Sequence, residues 1–492
     1  MKRKKMLGNT QKIKIVLIQP WLSSPDIIPA ITPPVGLMYL ASMARQRLGS
    51  NCVIEIIDAR LKKLDCMAVA EKVSRIRPDI VGISVISFYV NEMHKIAALI
   101  KKSCPETLII VGGPHISAEK KLTDENIDIA VIGEGEVVFD AILGQYIGAK
   151  DFSGIPGIIY RKENKVYSNA MNLSFIEDLD AIPFPAYDLI DIKQYADLCN
   201  SFKGIFTFRE QRMGVFTSRG CPNGCIYCHN IFGRKFRARS PENVFKEILL
   251  LHEKYSVKEF SIYDDVFNCD RNRAEKIADL IIESKMDIVL IFICGFRIDS
   301  VDEALLRKLK ACGTKFISYG IESGSQRIQA LIGKNIDLNK ASAVIEMTNK
   351  LEIFTGGHFV IGFPGETLEE INATIKYAAE SKIMFPGIQM VMPYEGTALR
   401  KLGEKIPGYD LSYDVERFGY AEAKMHRVGN KSYSLSILRR QGQMKCYFNL
   451  ARMCMLWRVL SWKVCLRMAI QLIIFNSRFI RCIERRCRGK HV

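Results

Sequence analysis

Two series of short apolar runs alternate with helical spacing, and this alternation limits the possible folds more than any other feature of the chain. The first series is Ile13–Ile18, Val53–Ile57, Ile80–Ser84, Leu108–Val111 and Ile127–Ile132. The second begins with Met213–Thr217 and continues at 260–263, 290–294, 316–320, 357–361 and 387–391. Runs this short and continuously apolar read as strands buried on both faces, which need covering helices and parallel pairing. Helical patterns at Glu92–Lys102 and Val301–Ala311 supply such covers. The expected class is α/β. A doubly wound, Rossmann-like parallel sheet comes first and a partial (β/α)6 TIM-type barrel second.

The expected boundaries are 1–165 for the sheet, 206–420 for the barrel and 421–492 for a helical tail. Asp178-Leu-Asp-Ala-Ile-Pro183-Phe-Pro185 marks 166–205 as an extended connector, because each proline biases its predecessor away from helix. Charge follows the same division. The 492 residues carry a net charge of +17. From Lys431 to Val492 there are 14 Lys and Arg against one acid, Glu484, so the remaining 430 residues carry only +4. A nearly neutral body with a basic tail is not a uniformly basic nucleic-acid binder.

Fifteen cysteines are too sparse for a disulfide scaffold, and the number is odd. The basic N-terminus is interrupted by Asn9, Gln11, Lys12 and Lys14, unlike a secretory signal. No run of 18 uncharged apolar residues is present. The expected location is the reducing cytoplasm, where cysteines are thiols or metal ligands.

Ligands of doubly wound sheets bind outside the carboxyl ends of the strands. There the sequence offers Ser84, then Gly112-Gly113-Pro114-His115, then Gly133-Glu134-Gly135-Glu136. Small polar loops at three successive strand ends, two of them with glycines that let backbone approach closely, favour a cofactor site. The absence of G-x-G-x-x-G after the first strand disfavours a nicotinamide. His94, inside a helical pattern, reads as structural.

Ser218-Arg-Gly-Cys221-Pro-Asn-Gly-Cys225-Ile-Tyr-Cys228 puts three cysteines at C-x3-C-x2-C spacing in one loop. Thiolates hold iron–sulfur clusters, normally one per iron, so three on a four-iron cluster leave one iron open. A zinc site completed by His229, or three unrelated thiols, are the structural alternatives.

The cysteine loop, with Tyr227 before its last cysteine, resembles that of the radical S-adenosylmethionine superfamily over about residues 206–420. Phe260-Ser-Ile-Tyr-Asp264-Asp265, Gly295-Phe-Arg297-Ile-Asp299, Tyr319-Gly-Ile-Glu322-Ser323-Gly324, Gly357-His-Phe-Val-Ile-Gly362 and Pro393-Tyr-Glu395-Gly396-Thr397 resemble its later strand-end motifs. Pro33-Pro34-Val-Gly-Leu37, Gly112–His115 and Gly133–Glu136 resemble the cobalamin-binding domain that precedes some members, including the anaerobic magnesium-protoporphyrin IX monomethyl ester cyclase group. The D-x-H-x-x-G loop of many cobalamin proteins is missing, which leaves the lower cobalt ligand open.

The resemblance implies a [4Fe–4S] cluster on Cys221, Cys225 and Cys228. It implies S-adenosylmethionine near Tyr227, Asp264 or Asp265, Arg297, Glu322, Ser323 and Gly362. It implies cobalamin near Ser84, Gly112, Gly113, Pro114, His115, Gly133, Glu134, Gly135 and Glu136. The implied reaction is reductive cleavage to a 5′-deoxyadenosyl radical that activates an unactivated carbon, followed first of all by methyl transfer from methylcobalamin. Oxidative cyclisation or another rearrangement is the alternative. A non-catalytic zinc- or cobalamin-binding regulator would explain the cysteines but not the five later motifs. The implied partners are a small-molecule substrate (a pigment, lipid or natural-product precursor) and an electron donor such as flavodoxin or ferredoxin.

From Gln443 to Arg488 no Pro or Gly interrupts the chain, so a long helix or a helical pair broken at Asn476-Ser477 is expected. At about 100° per residue, Arg452, Lys463, Arg467, Arg478, Arg481 and Arg485 share one arc, and Trp457, Trp462 and Leu466 lie elsewhere. Three placements fit. The apolar face could cover the barrel's open side with the stripe in solvent; the stripe could meet an anionic membrane surface or lipid substrate; or it could meet an acidic partner or nucleic acid. Cys446, Cys454, Cys465, Cys482 and Cys487 lack paired spacing and read as packing thiols.

Overall fold

The computed structural model describes residues 12–21, 31–170, 175–199, 208–229, 231–411, 425–428 and 431–459. Its first sheet contains β1 (Ile13–Gln19), β2 (Cys52–Asp58), β3 (Ile80–Ser84), β4 (Leu108–Gly112), β5 (Ile129–Val131), β6 (Ile158–Lys162) and β7 (Lys165–Ser168), in the order β2-β1-β3-β4-β5-β6-β7. The first five strands pair in parallel. Strand order reverses between β1 and β3, which opens a crevice at their carboxyl ends. Helices Val35–Leu48 and Gly135–Tyr146 pack on one face and Cys66–Ile76 and Val90–Ser103 on the other, each with its own apolar cluster.

β6 and β7 form an antiparallel hairpin that the apolar pattern did not indicate. β7 is exposed along its whole length, so no apolar period marks it. Its turn residues Glu163 and Asn164 have φ of 50° and 62°, the left-handed pair of a tight hairpin.

The connector is not extended throughout. It makes short turns at Leu179–Ala181 and Tyr187–Leu189, then a helix at Ile192–Cys199. The proline bias reaches only Ile182 and Phe184, and nothing opposes helix further on. The connector is packed on both units. Ser42 Oγ donates to Phe184 O (2.6 Å), Tyr195 Oη donates to Asp58 Oδ2 (2.9 Å), and Tyr187 Oη donates to Glu247 Oε1 (2.6 Å).

The second unit is built on β8 (Arg212–Val215) and a short ribbon of β9 (Ser218–Arg219) with β10 (Arg237–Ala238). The strands β11 (Glu259–Ile262), β12 (Val289–Phe292), β13 (Thr314–Glu322), β14 (Phe354–Ile361) and β15 (Phe385–Met390) follow. β8 and β11 to β15 pair in parallel in chain order, giving the expected six-stranded open barrel with β8 and β15 as its edges. Val289, Phe316 and Phe385, near the amino-terminal ends of their strands, form its apolar floor with Ile291, Met384 and Leu456. Thus the carboxyl ends are left for chemistry.

Helix Leu435–Tyr447 covers the β15 edge. Gln443 Nε2 donates to Pro386 O (3.0 Å), and Gln443 Oε1 accepts from Ile388 N (3.1 Å), so one amide satisfies edge groups that would otherwise be unpaired. A second helix, Leu450–Val459, follows the break at Phe448-Asn449. Its Leu456 reaches the barrel floor. Arg452 departs from the expected basic stripe: it is only 3% exposed. Its guanidinium donates to the carbonyls of Ala378 (2.8 Å), Ser381 (2.8 Å), Ile383 (2.9 Å) and Cys446 (2.5 Å). These lie at the end of helix Leu368–Glu380 and just beyond it, and at the end of Leu435–Tyr447, where backbone acceptors lack helical donors. Lys463, Arg467, Arg478, Arg481, Arg485, the Asn476-Ser477 break and Cys465, Cys482 and Cys487 lie outside the described residues. Among the described residues, no helix is long and apolar enough to cross a membrane.

Candidate active site at the barrel mouth

The cysteine loop leaves β9 and returns to β10, and its backbone is pinned along its length. Gly220 has φ 84°, and a Cβ there would lie 2.2 Å from Lys235 O, so only glycine fits. Cys221 N donates to Gly233 O (3.1 Å), Ile226 N to Ile332 O (3.1 Å) and Leu399 N to Ile226 O (2.9 Å). Ile226 packs with Ile328, Ile332, Phe363 and Leu399. Cys225 is buried, Cys221 half-buried and Cys228 exposed. Asn223 Nδ2 donates to Cys221 Sγ (3.2 Å), an arrangement that suits a thiolate.

The two aspartates after β11 separate cleanly. Asp264 is 1% exposed, and its carboxylate accepts from Thr217 N (2.6 Å), Thr217 Oγ1 and Ser218 Oγ (2.5 Å). It braces the start of the loop from inside. Asp265 is exposed and accepts from Gly220 N (2.9 Å). Burial among neighbouring groups still pushes its carboxyl pKa up.

Glu322 lies beyond a register shift in the β13–β14 pairing and has φ 69°, a left-handed conformation unusual for glutamate. Lys334 Nζ stands 3.3 Å from its Oε1. The Tyr227 ring lies against Phe363, and burial first, then Glu322 and Cys225, push its phenol pKa up. Arg297 pairs with Asp299 through Nε (2.9 Å) and Nη2 (2.5 Å) and also donates to Lys334 O (3.2 Å).

Two expected contact residues have local structural duties. Ser323 is fully buried with its Oγ 3.0 Å from Thr374 Oγ1. Gly362, at φ 94°, would drive a Cβ to 2.4 Å from Leu435 Cδ1 of the C-terminal helix.

At the ends of the first sheet, Ser84 closes β3, and Val85 N donates to Gly112 O (2.8 Å). Gly113 has φ 107° and would place a Cβ 2.8 Å from Val85 O. Pro114 starts a short helix, and His115 Nδ1 lies 3.1 Å from Ser87 Oγ. Burial lowers the His115 pKa. Gly133 N donates to Ser117 Oγ (3.0 Å), and Gly135 lies against Leu40. His94 pairs with Asp124 at 2.6 Å, the structural duty expected of it.

Glu134 and Glu136 are the largest departure from the expected pattern. Both carboxylates cross to the second unit. Arg219 Nη1 is 3.1 Å from Glu134 and Nη2 is 2.5 Å from Glu136, and Arg237 Nη1 is 2.8 Å from Glu134.

Comparison with known proteins completes the picture. Residues 215–378 match the radical SAM superfamily and residues 28–143 match the B12 binding domain. An uncharacterized methyltransferase of Pyrococcus horikoshii is 32% identical over 394 residues, which cover 79% of this chain and 82% of that protein. The chain belongs to the cobalamin-binding radical S-adenosylmethionine family. The anaerobic magnesium-protoporphyrin IX monomethyl ester cyclase of Rubrivivax gelatinosus is 26% identical over 77% of this chain and 68% of its own length. The fold is that of the radical S-adenosylmethionine methyltransferase TsrM of Kitasatospora setae, with TM-score 0.64 and 16% identity, covering 87% of this chain and 81% of that one.

A member of this family is an enzyme whose cofactors are a [4Fe–4S] cluster, S-adenosylmethionine and cobalamin, and which acts on a small molecule with electrons from a donor. The donor set fits the cluster. Three thiols share one loop, and Cys221 Sγ receives a hydrogen bond. Among the described residues no three His, Cys, Asp or Glu side chains converge as ligands of a single metal ion. A cube with one thiolate per iron spreads its ligands wider than that. Sequence patterns missed Arg219, Arg237, Asn223 and Lys334. Arg219, two residues before Cys221, and Asn223, between Cys221 and Cys225, lie within the cysteine motif; Arg237 and Lys334 carried no local signal.

Proposed function

We propose that this enzyme transfers a methyl group to an unactivated carbon of a small-molecule substrate held between its two units. The reading is carried by the meeting of the two loop sets. Loops 112–119 and 133–136 of the sheet face the cysteine loop and the sixth-strand loop of the barrel. Arg219 binds Glu134 and Glu136, and a Cβ on Gly396 would sit 3.8 Å from Ala118 O. The 32%-identical relative, named a methyltransferase, supports the same outcome.

In this reading Cys221, Cys225 and Cys228 hold the cluster. Tyr227, Asp265, Arg297 and Glu322 surround S-adenosylmethionine, while Asp264, Ser323 and Gly362 shape the backbone beneath. Ser84, Gly112, Gly113, Pro114, His115, Gly133 and Gly135 line the cobalamin side. When bound, these cofactors supply a 5′-deoxyadenosyl radical and a transferable methyl group. The protein orients them and excludes water from the space between. The first unit extends to Ser168, the end of its last strand. The expected setting is a reducing cytoplasm with flavodoxin or ferredoxin as donor; no described cysteine forms a disulfide.

The likeness to the cyclase keeps oxidative cyclisation as the competing outcome. The test uses anaerobically reconstituted protein, S-adenosylmethionine with a deuterated methyl group, heavy-oxygen water and small-molecule extracts of the source cells. A product carrying the deuterated methyl is expected. A product carrying heavy oxygen and no deuterium would replace methylation with cyclisation.

A further inference from the structure

The joint between the two units is built from charges that water does not reach. Arg219, Arg237, Glu134 and Glu136 side chains are all at most 8% exposed. Arg219 uses one arm on each carboxylate. Its flat faces lie against the rings of Tyr39, from the first unit, and Phe232, from the cysteine loop, with centroids at 5.5 and 5.2 Å. Arg237 is its register partner across the β9–β10 ribbon. It donates to the other oxygen of Glu134 (2.8 Å), which also accepts from Ile176 N of the connector (2.7 Å). Both carboxylates of one loop are thus claimed by the ribbon that begins and ends the other.

Two guanidiniums balance two carboxylates. Such buried ion pairs add little net stability over apolar packing, because desolvation offsets their attraction. What they add is register: a planar guanidinium with one arm on each of two carboxylates, and a carboxylate shared by two guanidiniums, admit one mutual orientation. The orientation fixed here is that of the cysteine loop. Gly220 follows Arg219 directly, its N–H is held by Asp265, and Cys221 comes next. The other end of the link is the loop after β5, at the ligand-binding edge of the sheet.

We propose that Arg219 is a positioning residue, held by Glu134 and Glu136 so that the cysteine loop keeps one distance and angle to the cobalamin-binding face. The inference rests on the reading that both cofactors serve one substrate. A radical and a methyl group must then reach the same carbon, where small misplacements cost large factors in rate.

The test uses the full-length protein loaded with cluster and cobalamin. Parent, Glu136→Gln and Arg219→Lys are compared by pulsed electron paramagnetic resonance, reading the dipolar coupling between reduced cluster and cob(II)alamin. Iron and cobalamin content and melting temperature are measured alongside. Asp128→Asn serves as the stability control, because it weakens contacts inside the first sheet that touch neither loop.

The parent should give one narrow distance. Glu136→Gln, nearly isosteric, should keep both cofactors but show a shifted or broadened distance, and should cleave S-adenosylmethionine abortively severalfold faster without substrate. Arg219→Lys should show the larger shift, because an ammonium cannot bridge both carboxylates in plane. The control should lower the melting temperature and leave the distance unchanged. If Glu136→Gln keeps the parent's distance, the positioning role is overturned, whatever happens to Arg219→Lys. A parent that binds no cobalamin or no iron would instead overturn the functional reading.

Discussion

The two sets of strand-end loops face one another, yet they differ in what they present. At the barrel mouth the chain offers side chains. Asp265 is exposed, Glu322 is held at φ 69°, and Tyr227 and Lys334 converge on that glutamate. At the end of the first sheet it offers backbone. Gly113 lies against Val85, and Glu134 and Glu136 are committed to arginines of the other unit. In the proposed reading the first end holds the compact, charged, reactive group, and the second gives a large flat ligand a smooth edge while tying itself to its neighbour. Fold alone does not separate these roles, since both ends belong to parallel α/β sheets with ligand sites in the same place. The difference lies in which side chains remain available.

The strongest way to break this contrast is to remove the buried cysteine. Cys225→Ala should abolish the cluster and all 5′-deoxyadenosine formation, while cobalamin content stays at the parent level. Iron and sulfide analysis with a cobalamin spectrum checks both halves at once. A cluster that survives would remove the chemistry from the barrel mouth. Joint loss of cobalamin would show that the two ends do not load separately.

A second comparison concerns protonation. Glu366, in the loop after β14, is 1% exposed and accepts from Gly362 N (2.5 Å) and Phe363 N (3.0 Å). Burial pushes its carboxyl pKa up to about 8 from an ordinary 4.5. Between those values the folded state binds more protons than the unfolded one. Stability therefore falls as pH rises from about 4.5 to about 8 and levels off on either side. The effect is on the order of 5 kcal/mol at most. Melting curves across that range should slope downward for the parent and flatten for Glu366→Gln. Parallel curves would mean that the carboxyl is already ionised in the folded enzyme.

What the sequence made legible follows the same division. In the barrel the apolar runs and the strand-end motifs coincided, and all six strands were placed within a few residues. The parallel strands of the first sheet were equally readable. Contacts that depend on distant partners were not. Glu134 and Glu136 looked like a ligand loop because Arg219 and Arg237 lie 83 to 103 residues away. Arg452 looked like a solvent charge because the carbonyls it satisfies come mostly from a helix more than 70 residues earlier and the turn that follows it. Periodicity records which face of an element is apolar; it does not record which neighbour needs a donor. Asp264 and Asp265 stayed undivided for a related reason, since their fates were set by Thr217 and Gly220 across the sheet.

The smallest expected effect tests the backbone end directly. Gly113 sits where β3 and β4 diverge, and its φ of 107° lies in the region that side chains avoid. Gly113→Ala would place a methyl 2.8 Å from Val85 O, so the junction carrying Ser84 and His115 must shift. Strain of this kind costs about 2 kcal/mol. The melting temperature should fall modestly, cobalamin occupancy should drop, and iron content should hold, because the cysteine loop is pinned by barrel contacts and by the separate loop 133–136. Cobalamin titration of the purified variant decides between the two uses of this glycine. If the enzyme melts earlier but binds cobalamin as the parent does, Gly113 serves only the packing of one strand end on the next, and the cradle must be sought along loop 133–136 alone.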